Sequence, residues 1–142
     1  MRQEIECNSY ELSRVFAVTP GKLFSCFLDE STLKTIWGVS QITIDARAEG
    51  RARAQLTIND ENWDFTITYK EVVPGQTLRW VVHFDRLPSK EIRVTLRFKE
   101  IAAGTELTLR MENFESWQER DQNRQAWEGA LETLQALISP GS

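Results

Sequence analysis

Histidine and cysteine are almost absent from this chain, and their scarcity excludes several kinds of chemistry. The 142 residues contain one histidine, His83, and two cysteines, Cys7 and Cys26, which form no metal-binding or redox motif. A zinc site needs several such ligands, and a catalytic serine–histidine–aspartate triad needs a histidine beside its nucleophile. We therefore expect no metal, no cofactor and no catalytic residue, and we expect both thiols to be reduced, as in a cytoplasmic protein.

Long apolar runs and basic runs are lacking as well. No apolar stretch approaches the roughly 20 residues that span a membrane, and residues 1–14 have no apolar core of the signal-peptide type. The net charge is −4, with lysine and arginine scattered along the chain, which argues against a nucleic-acid partner. We expect one globular domain over residues 1–142, without a membrane partner.

The C-terminal segment is predicted to be a long amphipathic helix, from about Ser116 to Ile138. Its apolar residues recur at steps of three and four and form one stripe: Trp127, Ala130, Leu131, Leu134, Leu137 and Ile138. Ser116 and Glu119 fit a capping box at its start, and Pro140 and Gly141 predict its end. Such a helix must bury its stripe against the rest of the domain.

Nearly everything before this helix is predicted to be β-strand. A first strand covers Tyr10–Val18, and two short helices follow, the first opened by Thr19-Pro20 and the second ended by Gly38. Six further strands of alternating apolar residues begin near residues 41, 51, 63, 78, 92 and 107, with a loop at 87–90. Their short connections predict antiparallel neighbours. The expected fold is α+β, a curved antiparallel sheet of about seven strands wrapped around the C-terminal helix.

Several segments resemble one known family. Phe16 to Pro20 resembles its strand-to-helix entry, and Leu33 to Gly38 resembles its L-x-x-W-W-G segment. Four further segments resemble parts of the same family: the hairpin at 44–51, the stretch from Tyr69 to Trp80, the hairpin at 94–109, and Trp127 with Leu131 and Leu134. In this order they resemble the helix-grip fold of the SRPBCC (START/Bet v-type) superfamily, and within it the Aha-type family of activators of the heat-shock-protein-90 ATPase.

The resemblance implies three functions from different classes. The first is a non-enzymatic carrier or sensor, which holds a small apolar or aromatic ligand between the sheet and the long helix. The second is a chaperone-binding module of the stress response, although no counterpart of the eukaryotic activators' separate N-terminal domain is found in these 142 residues. The third is a cyclase-like enzyme. The resemblance supplies no catalytic residue, and fold alone does not decide among the three; a monomer and a homodimer both remain open.

The candidate ligand-binding residues are aromatic and basic. Trp63 and Trp80 occupy inward positions on consecutive predicted strands, Trp127 lies on the helix stripe, and Ala46, Ala52 and Ala54 are small inward residues that leave space or allow close helix approach. These rings form either a plain core or the wall of a cavity. Trp37 is predicted to lie near the ligand as well.

The stripe becomes polar toward the start of the helix, at Arg124, Asn123 and Arg120. Two arginines four residues apart repel one another, and guanidinium groups suit carboxylates. One hypothesis is therefore that Arg120 and Arg124 bind the polar head of the ligand. The alternative is that Arg124 pairs with Glu128 and Arg120 lies in water. His83 is predicted to lie on the wet face of the sheet, without a catalytic role.

Overall fold

The computed structural model describes residues 9–45 and 47–138. Its strands and helices follow the predicted order, and they are β1 (Ser9–Phe16), α1 (Pro20–Cys26), α2 (Glu30–Trp37), β2 (Gln41–Ile44), β3 (Arg51–Gln55), β4 (Thr57–Ile58), β5 (Glu61–Asn62), β6 (Phe65–Val73), β7 (Thr77–Phe84), β8 (Leu87–Ile101), β9 (Gly104–Glu112) and α3 (Trp117–Ile138). The predictions for Cys7, Ala46, Pro140 and Gly141 concern positions outside the described residues.

Seven strands form one antiparallel sheet in the order β1-β9-β8-β7-β6-β3-β2, and β4 and β5 pair separately as a short ribbon. The six-strand meander is therefore confirmed, and β1 forms one edge of the sheet beside β9, the last strand of the chain. Register shifts at Tyr69/Glu71 and Val82/Phe84 mark irregularities in β6–β7 and β7–β8 pairing. Such bulges bend strands and increase their twist.

The core lies between the apolar face of this sheet and the helices. Residues of alternating strand positions, such as Ile67, Trp80 and Leu96, share one buried cluster with Leu131 and Leu134 of α3. The alternation of period two in the strands and the steps of three and four in α3 place these side chains together. The fold is thus the predicted α+β helix-grip arrangement.

The helix ends agree with their sequence signals, with one difference. Thr19 accepts a hydrogen bond from the Lys22 backbone N–H at 3.3 Å, and Gly38 ends α2 with a φ of 72°. At the start of α3, Ser116 Oγ accepts from the Glu119 N–H at 3.2 Å, as predicted. The Glu119 carboxylate accepts from the N–H of Glu115 rather than that of Ser116, so the reciprocal bond reaches one residue further back.

Four predicted positions or boundaries are wrong. The first strand ends at Phe16, and the loop predicted at 87–90 belongs to β8, which begins at Leu87 after a tight turn. Ile58 continues the apolar alternation of the strand predicted from residue 51 and should therefore point inward. It is instead 46% exposed, because residues 57–62 leave the main sheet and form their own ribbon. Leu137 is 52% exposed, because it lies at the margin of a stripe centred on Leu134.

Candidate functional site

An apolar cavity of about 170 Å³ lies between α2, the sheet and α3. Its described lining residues come from six elements and from the connections beside them: Ile36, Trp37, Val39, Leu56, Phe65, Ile67, Trp80, Val82, Phe84, Ile92, Val94, Met111, Asn123, Ala126, Trp127 and Ala130. Every one of these side chains is apolar or aromatic except Asn123. Engineered cavities of roughly this size, about 150 Å³, stay dry and bind benzene.

Aromatic rings form one wall of the cavity. Trp37 lies in the centre of this cluster, with its ring centroid 5.9 Å from that of Trp127, 6.3 Å from that of Trp80 and 6.1 Å from that of Phe65. The interplanar angles of 61–77° are edge-to-face contacts, a preferred geometry for aromatic pairs.

The cavity reaches the surface beside α3. Ala126 lines the cavity and is also exposed to solvent, and Asn123, one turn earlier, is half-buried. Both residues are small for a helix face that would otherwise bear large apolar groups. A molecule can therefore approach the cavity past the first half of α3.

Asn123 is held in place by the opposite end of the chain. Its Oδ1 accepts a hydrogen bond of 2.6 Å from the Tyr10 hydroxyl, which also lies 3.0 Å from the Met111 sulfur. Tyr10 stacks on Phe114 with a centroid separation of 5.8 Å. Burial raises the pKa of Tyr10 well above its ordinary value, an effect that Arg124 partly offsets. Tyr10 therefore keeps its proton at neutral pH, and Asn123 stays engaged through its carbonyl oxygen.

One polar atom of Trp37 has no partner. The indole Nε1 of Trp37 is buried without a hydrogen-bond partner among the described residues. An unsatisfied buried donor costs about 1–3 kcal/mol, so native structures seldom retain one without a reason.

The structure brings together four of the seven predicted ligand-binding residues. Trp37, Trp80, Asn123 and Trp127 line the cavity. Trp63 precedes β6 rather than opening it, and its half-buried ring packs on Phe84 at 6.1 Å with Arg86 5.1 Å above it. Trp63 therefore lies outside β6, contrary to the prediction, but its ring contacts Phe84, which lines the cavity.

Arg120 and Arg124 are not among the described lining residues. Arg124 Nε lies 3.6 Å from a Glu128 carboxylate oxygen, and half of its side chain is exposed. Arg120 forms an ion pair of 3.1 Å with Asp121. One half of the sequence alternative, the pairing of Arg124 with Glu128, matches the structure. The other half does not, because the Arg120 side chain is only 24% exposed rather than lying in water. A role for either arginine in carboxylate binding stays a prediction.

Sequence reasoning missed Tyr10 as the partner of Asn123. The two residues are separated by 113 positions, and the packing of α3 against β1 brings them together. The inward alternation of Phe65, Val82 and Phe84 was visible in the sequence and could have marked them as wall residues.

His83 lies on the outer face of the sheet, with Nε2 3.3 Å from a Glu91 carboxylate oxygen. Within the described ranges, no group of three or more histidine, cysteine or acidic side chains is arranged to hold a metal. Among the helices of the described chain, none is both long and apolar enough to cross a membrane.

Comparison with known proteins assigns the family. The family described as Activator of Hsp90 ATPase homolog 1-like protein matches residues 17–139. The chain belongs to this family. None of the curated proteins matches the chain significantly, so membership comes without an assigned ligand or activity.

Solved structures share the fold of this family member from end to end. Protein CV1439 from Chromobacterium violaceum superimposes with a TM-score of 0.83 at 23% identity, covering 94% of this chain and 99% of that one. Protein Ms6760 from Mycobacterium smegmatis superimposes with a TM-score of 0.80 at 18% identity, covering 97% of this chain and 94% of that one. Protein NE0264 from Nitrosomonas europaea superimposes with a TM-score of 0.76 at 16% identity, covering 93% of this chain and 94% of that one. At these identities the likeness establishes the fold alone.

Proposed function

We propose that the protein binds a small apolar molecule with a single aromatic ring in the cavity between the sheet and α3. The observation that carries this proposal is the cavity itself, about 170 Å³ in volume and lined almost wholly by apolar side chains. Ligand sites are typically concave, apolar and furnished with a few polar groups. Asn123 would be that group here.

The volume limits the size of the ligand. A cavity of about 150 Å³ accommodates benzene, whereas sites for drug-sized ligands have about 300–1,000 Å³. A long fatty acid would have to extend through the opening beside Ala126 into water, so a molecule with one ring and a short substituent fits better.

Binding without chemistry is the better-supported activity. None of the described lining residues is a carboxylate, a histidine or a cysteine, the groups that most often act as general acids, bases or nucleophiles. The protein would therefore act as a carrier or sensor, in which occupancy of the cavity is the signal.

Titration with toluene tests this proposal. We expect saturable binding by calorimetry and a rise in thermal stability, because a ligand that binds only the folded state stabilises it by mass action. Ala130→Leu places three extra carbons against the cavity and should remove the binding. Ala136→Leu, the same change at an exposed position of α3, is the matched control and should bind as wild type does. Absence of saturable binding by the wild type would refute the proposal.

A second candidate is the stimulation of a chaperone ATPase, and the family match is the observation that favours it. This activity would use a surface rather than the cavity. An ATPase assay with purified heat-shock protein 90 tests it, with Ala130→Leu as a comparison. Stimulation that survives filling of the cavity would assign the activity to the surface and separate the two functions.

A further inference from the structure

Asn123 is the one carboxamide among the described residues that line the cavity, and it lies at the opening. Ala126, three residues later in α3, lines the same opening and is exposed to solvent. A carboxamide has a donor end and an acceptor end, so its orientation decides which ligand groups it can bind. The contacts of Asn123 with the rest of the fold fix that orientation.

Tyr10 engages the oxygen end of this carboxamide. The Tyr10 hydroxyl oxygen lies 2.6 Å from Asn123 Oδ1, a separation that is usual for O–H···O bonds and shorter than the range of about 2.7–3.2 Å for N–H···O bonds. The hydroxyl also contacts the Met111 sulfur at 3.0 Å, and the Tyr10 ring stacks on Phe114. Because burial raises the pKa of Tyr10, its hydroxyl keeps the proton that Asn123 Oδ1 accepts.

The nitrogen end of Asn123 is left accessible. Within residues 9–45 and 47–138, Asn123 Nδ2 forms no hydrogen bond, since Tyr10 is the only partner of this side chain there. Over the same residues, the Trp37 indole nitrogen is the only fully buried side-chain nitrogen or oxygen without a partner, so the unpaired Asn123 Nδ2 is not fully buried. An accessible N–H donor therefore lies at the opening of the cavity.

The described lining residues carry no charged side chain. A carboxylate drawn into this space would lose its water without a neutralising partner, which is unfavourable. A neutral oxygen acceptor has a lower desolvation cost, and a hydrogen bond from an amide N–H satisfies it. In a cavity of about 170 Å³, a single ring occupies the apolar interior, and a short substituent carries this oxygen to the opening.

From these contacts, and resting on the proposed binding function, we infer that Tyr10 orients Asn123 so that the cavity selects neutral aryl compounds with an oxygen acceptor over those with an N–H donor. Asn123 Nδ2 donates to the ligand oxygen, while Tyr10 prevents the amide from turning its own oxygen toward the ligand. Asn123 is thus a specificity-determining residue. Tyr10, which is not among the described lining residues, is a positioning residue that acts through it.

Two pairs of probes of matched shape separate an acceptor from a donor. Acetophenone and α-methylstyrene differ mainly in C=O against C=CH2, and N-methylaniline and ethylbenzene differ in N–H against CH2. The affinity ratio within each pair, measured by calorimetry and compared between variants, cancels the unequal cost of removing the probes from water. Asn123→Leu keeps the size of the side chain but removes the amide. The ratio of acetophenone to α-methylstyrene affinity should therefore fall about fivefold, roughly the effect of one hydrogen bond.

Tyr10→Phe keeps the ring that stacks on Phe114 but removes the hydroxyl. The Asn123 amide can then turn either end toward the cavity, so the ratio of N-methylaniline to ethylbenzene affinity should rise about threefold and the acetophenone preference should shrink. Tyr69→Phe is the matched control. Tyr69 is buried and is not among the described lining residues, so both ratios should keep their wild-type values, whereas a loosened core would change both members of a pair together.

The outcomes separate this inference from the function on which it rests. If toluene binds but the acetophenone to α-methylstyrene ratio is the same in the wild type and Asn123→Leu, the inference is refuted and the proposed function stands. Unchanged ratios in Tyr10→Phe would refute the positioning role of Tyr10, and with it the inference. Absence of binding by all four probes and by toluene would refute the proposed function and the inference together.

A second measurement does not depend on the folding of a variant. In 15N-labelled wild-type protein, a side-chain N–H proton of Asn123 should move further downfield with saturating acetophenone than with saturating α-methylstyrene. Equal shifts with the two probes would contradict a hydrogen bond from Asn123 and overturn the inference.

Discussion

Replacement of Trp127 by alanine should destabilise the protein severely, because this ring joins α3 to the aromatic wall. Trp127 is 8% exposed and packs edge-to-face on Trp37 at 5.9 Å. A tryptophan side chain buries about 150–250 Å², and at ~25 cal/mol per Å² this corresponds to about 4–6 kcal/mol. Alanine would retain a small part of that area.

The existing cavity reduces the expected loss. Trp127 borders the cavity, so one of its sides already lacks the contacts that a fully packed ring would have. We therefore expect a loss of about 3–4 kcal/mol, the lower part of the usual range of ~3–5 kcal/mol for such a truncation. Urea denaturation with linear extrapolation measures it, provided that the m-value is unchanged.

The same helix supplies a control of the same residue type. Trp117 is 53% exposed, and its replacement by alanine should change the free energy of unfolding by about 0.5 kcal/mol or less, as is usual for surface positions. A loss below about 1 kcal/mol for Trp127→Ala, or equal losses for the two variants, would show that the helix stripe is not buried as described.

Four further substitutions test local features of the fold. Gly104→Ala should cost about 1–3 kcal/mol of stability, since its φ is +136° and an added Cβ would lie 2.2 Å from the Phe16 carbonyl oxygen. Gly129→Ala has open space around the added Cβ and should be neutral or stabilise the protein by up to about 1 kcal/mol. A higher melting temperature for Gly104→Ala than for Gly129→Ala would contradict this reasoning. Asp29→Ala removes a helix cap and should cost about 1 kcal/mol of stability near pH 7. Because hydrogen bonds from Thr32 lower the pKa of Asp29, this cost should be complete above pH ~4 and shrink as the pH falls through the lowered pKa. A cost that is independent of pH would exclude the charged cap. His83→Ala should change stability by about 0.5 kcal/mol or less, since its contact with Glu91 is partly exposed. A catalytic activity of the wild type that is lost in this variant would overturn the non-catalytic interpretation.

The architecture could be predicted from the sequence because its determinants are local. Alternation of period two placed Phe65, Ile67 and Trp80 on the inward face, and the stripe of α3 placed Trp127 and Leu131 opposite them. The exceptions occur where a short segment folds on itself: in the β4–β5 ribbon, Asn59 and Asp60 adopt positive φ values of 53° and 66°. No hydrophobic pattern indicates where a strand will leave its sheet to make such a turn.

The site could be predicted only in part, because a cavity is a property of packing and not of pattern. The sequence identified Trp37, Trp80 and Trp127 as aromatic neighbours, but the space beside them depends on the contact angles of their rings. The polar contact of Asn123 with Tyr10 depends on the packing of α3 against β1. The arginine hypothesis placed Arg120 and Arg124 by helix spacing, and spacing does not show which neighbouring groups a long side chain will contact.

The stability cost of the cavity gives a final test of whether it serves a function. Apolar side chains that border an unfilled space make fewer packing contacts than fully packed ones, so a cavity lowers the stability of the fold. Leucine in place of Ala130, which lines the cavity and is 6% exposed, would fill part of this space. We expect Ala130→Leu to raise the free energy of unfolding by about 1–2 kcal/mol, at ~0.8 kcal/mol per buried carbon less the loss of rotamer freedom.

Stability and ligand binding should therefore change in opposite directions in this variant. Sites that must stay open are commonly less stable than filled ones, so a more stable Ala130→Leu protein that no longer binds toluene would indicate that the space is kept for a ligand. Ala136→Leu, at an exposed position of the same helix, should leave both quantities near wild type and controls for helix propensity. If Ala130→Leu is instead destabilised by about 1–3 kcal/mol, as overpacked cores are, the region is already filled to its limit and the cavity is too small to hold a ring.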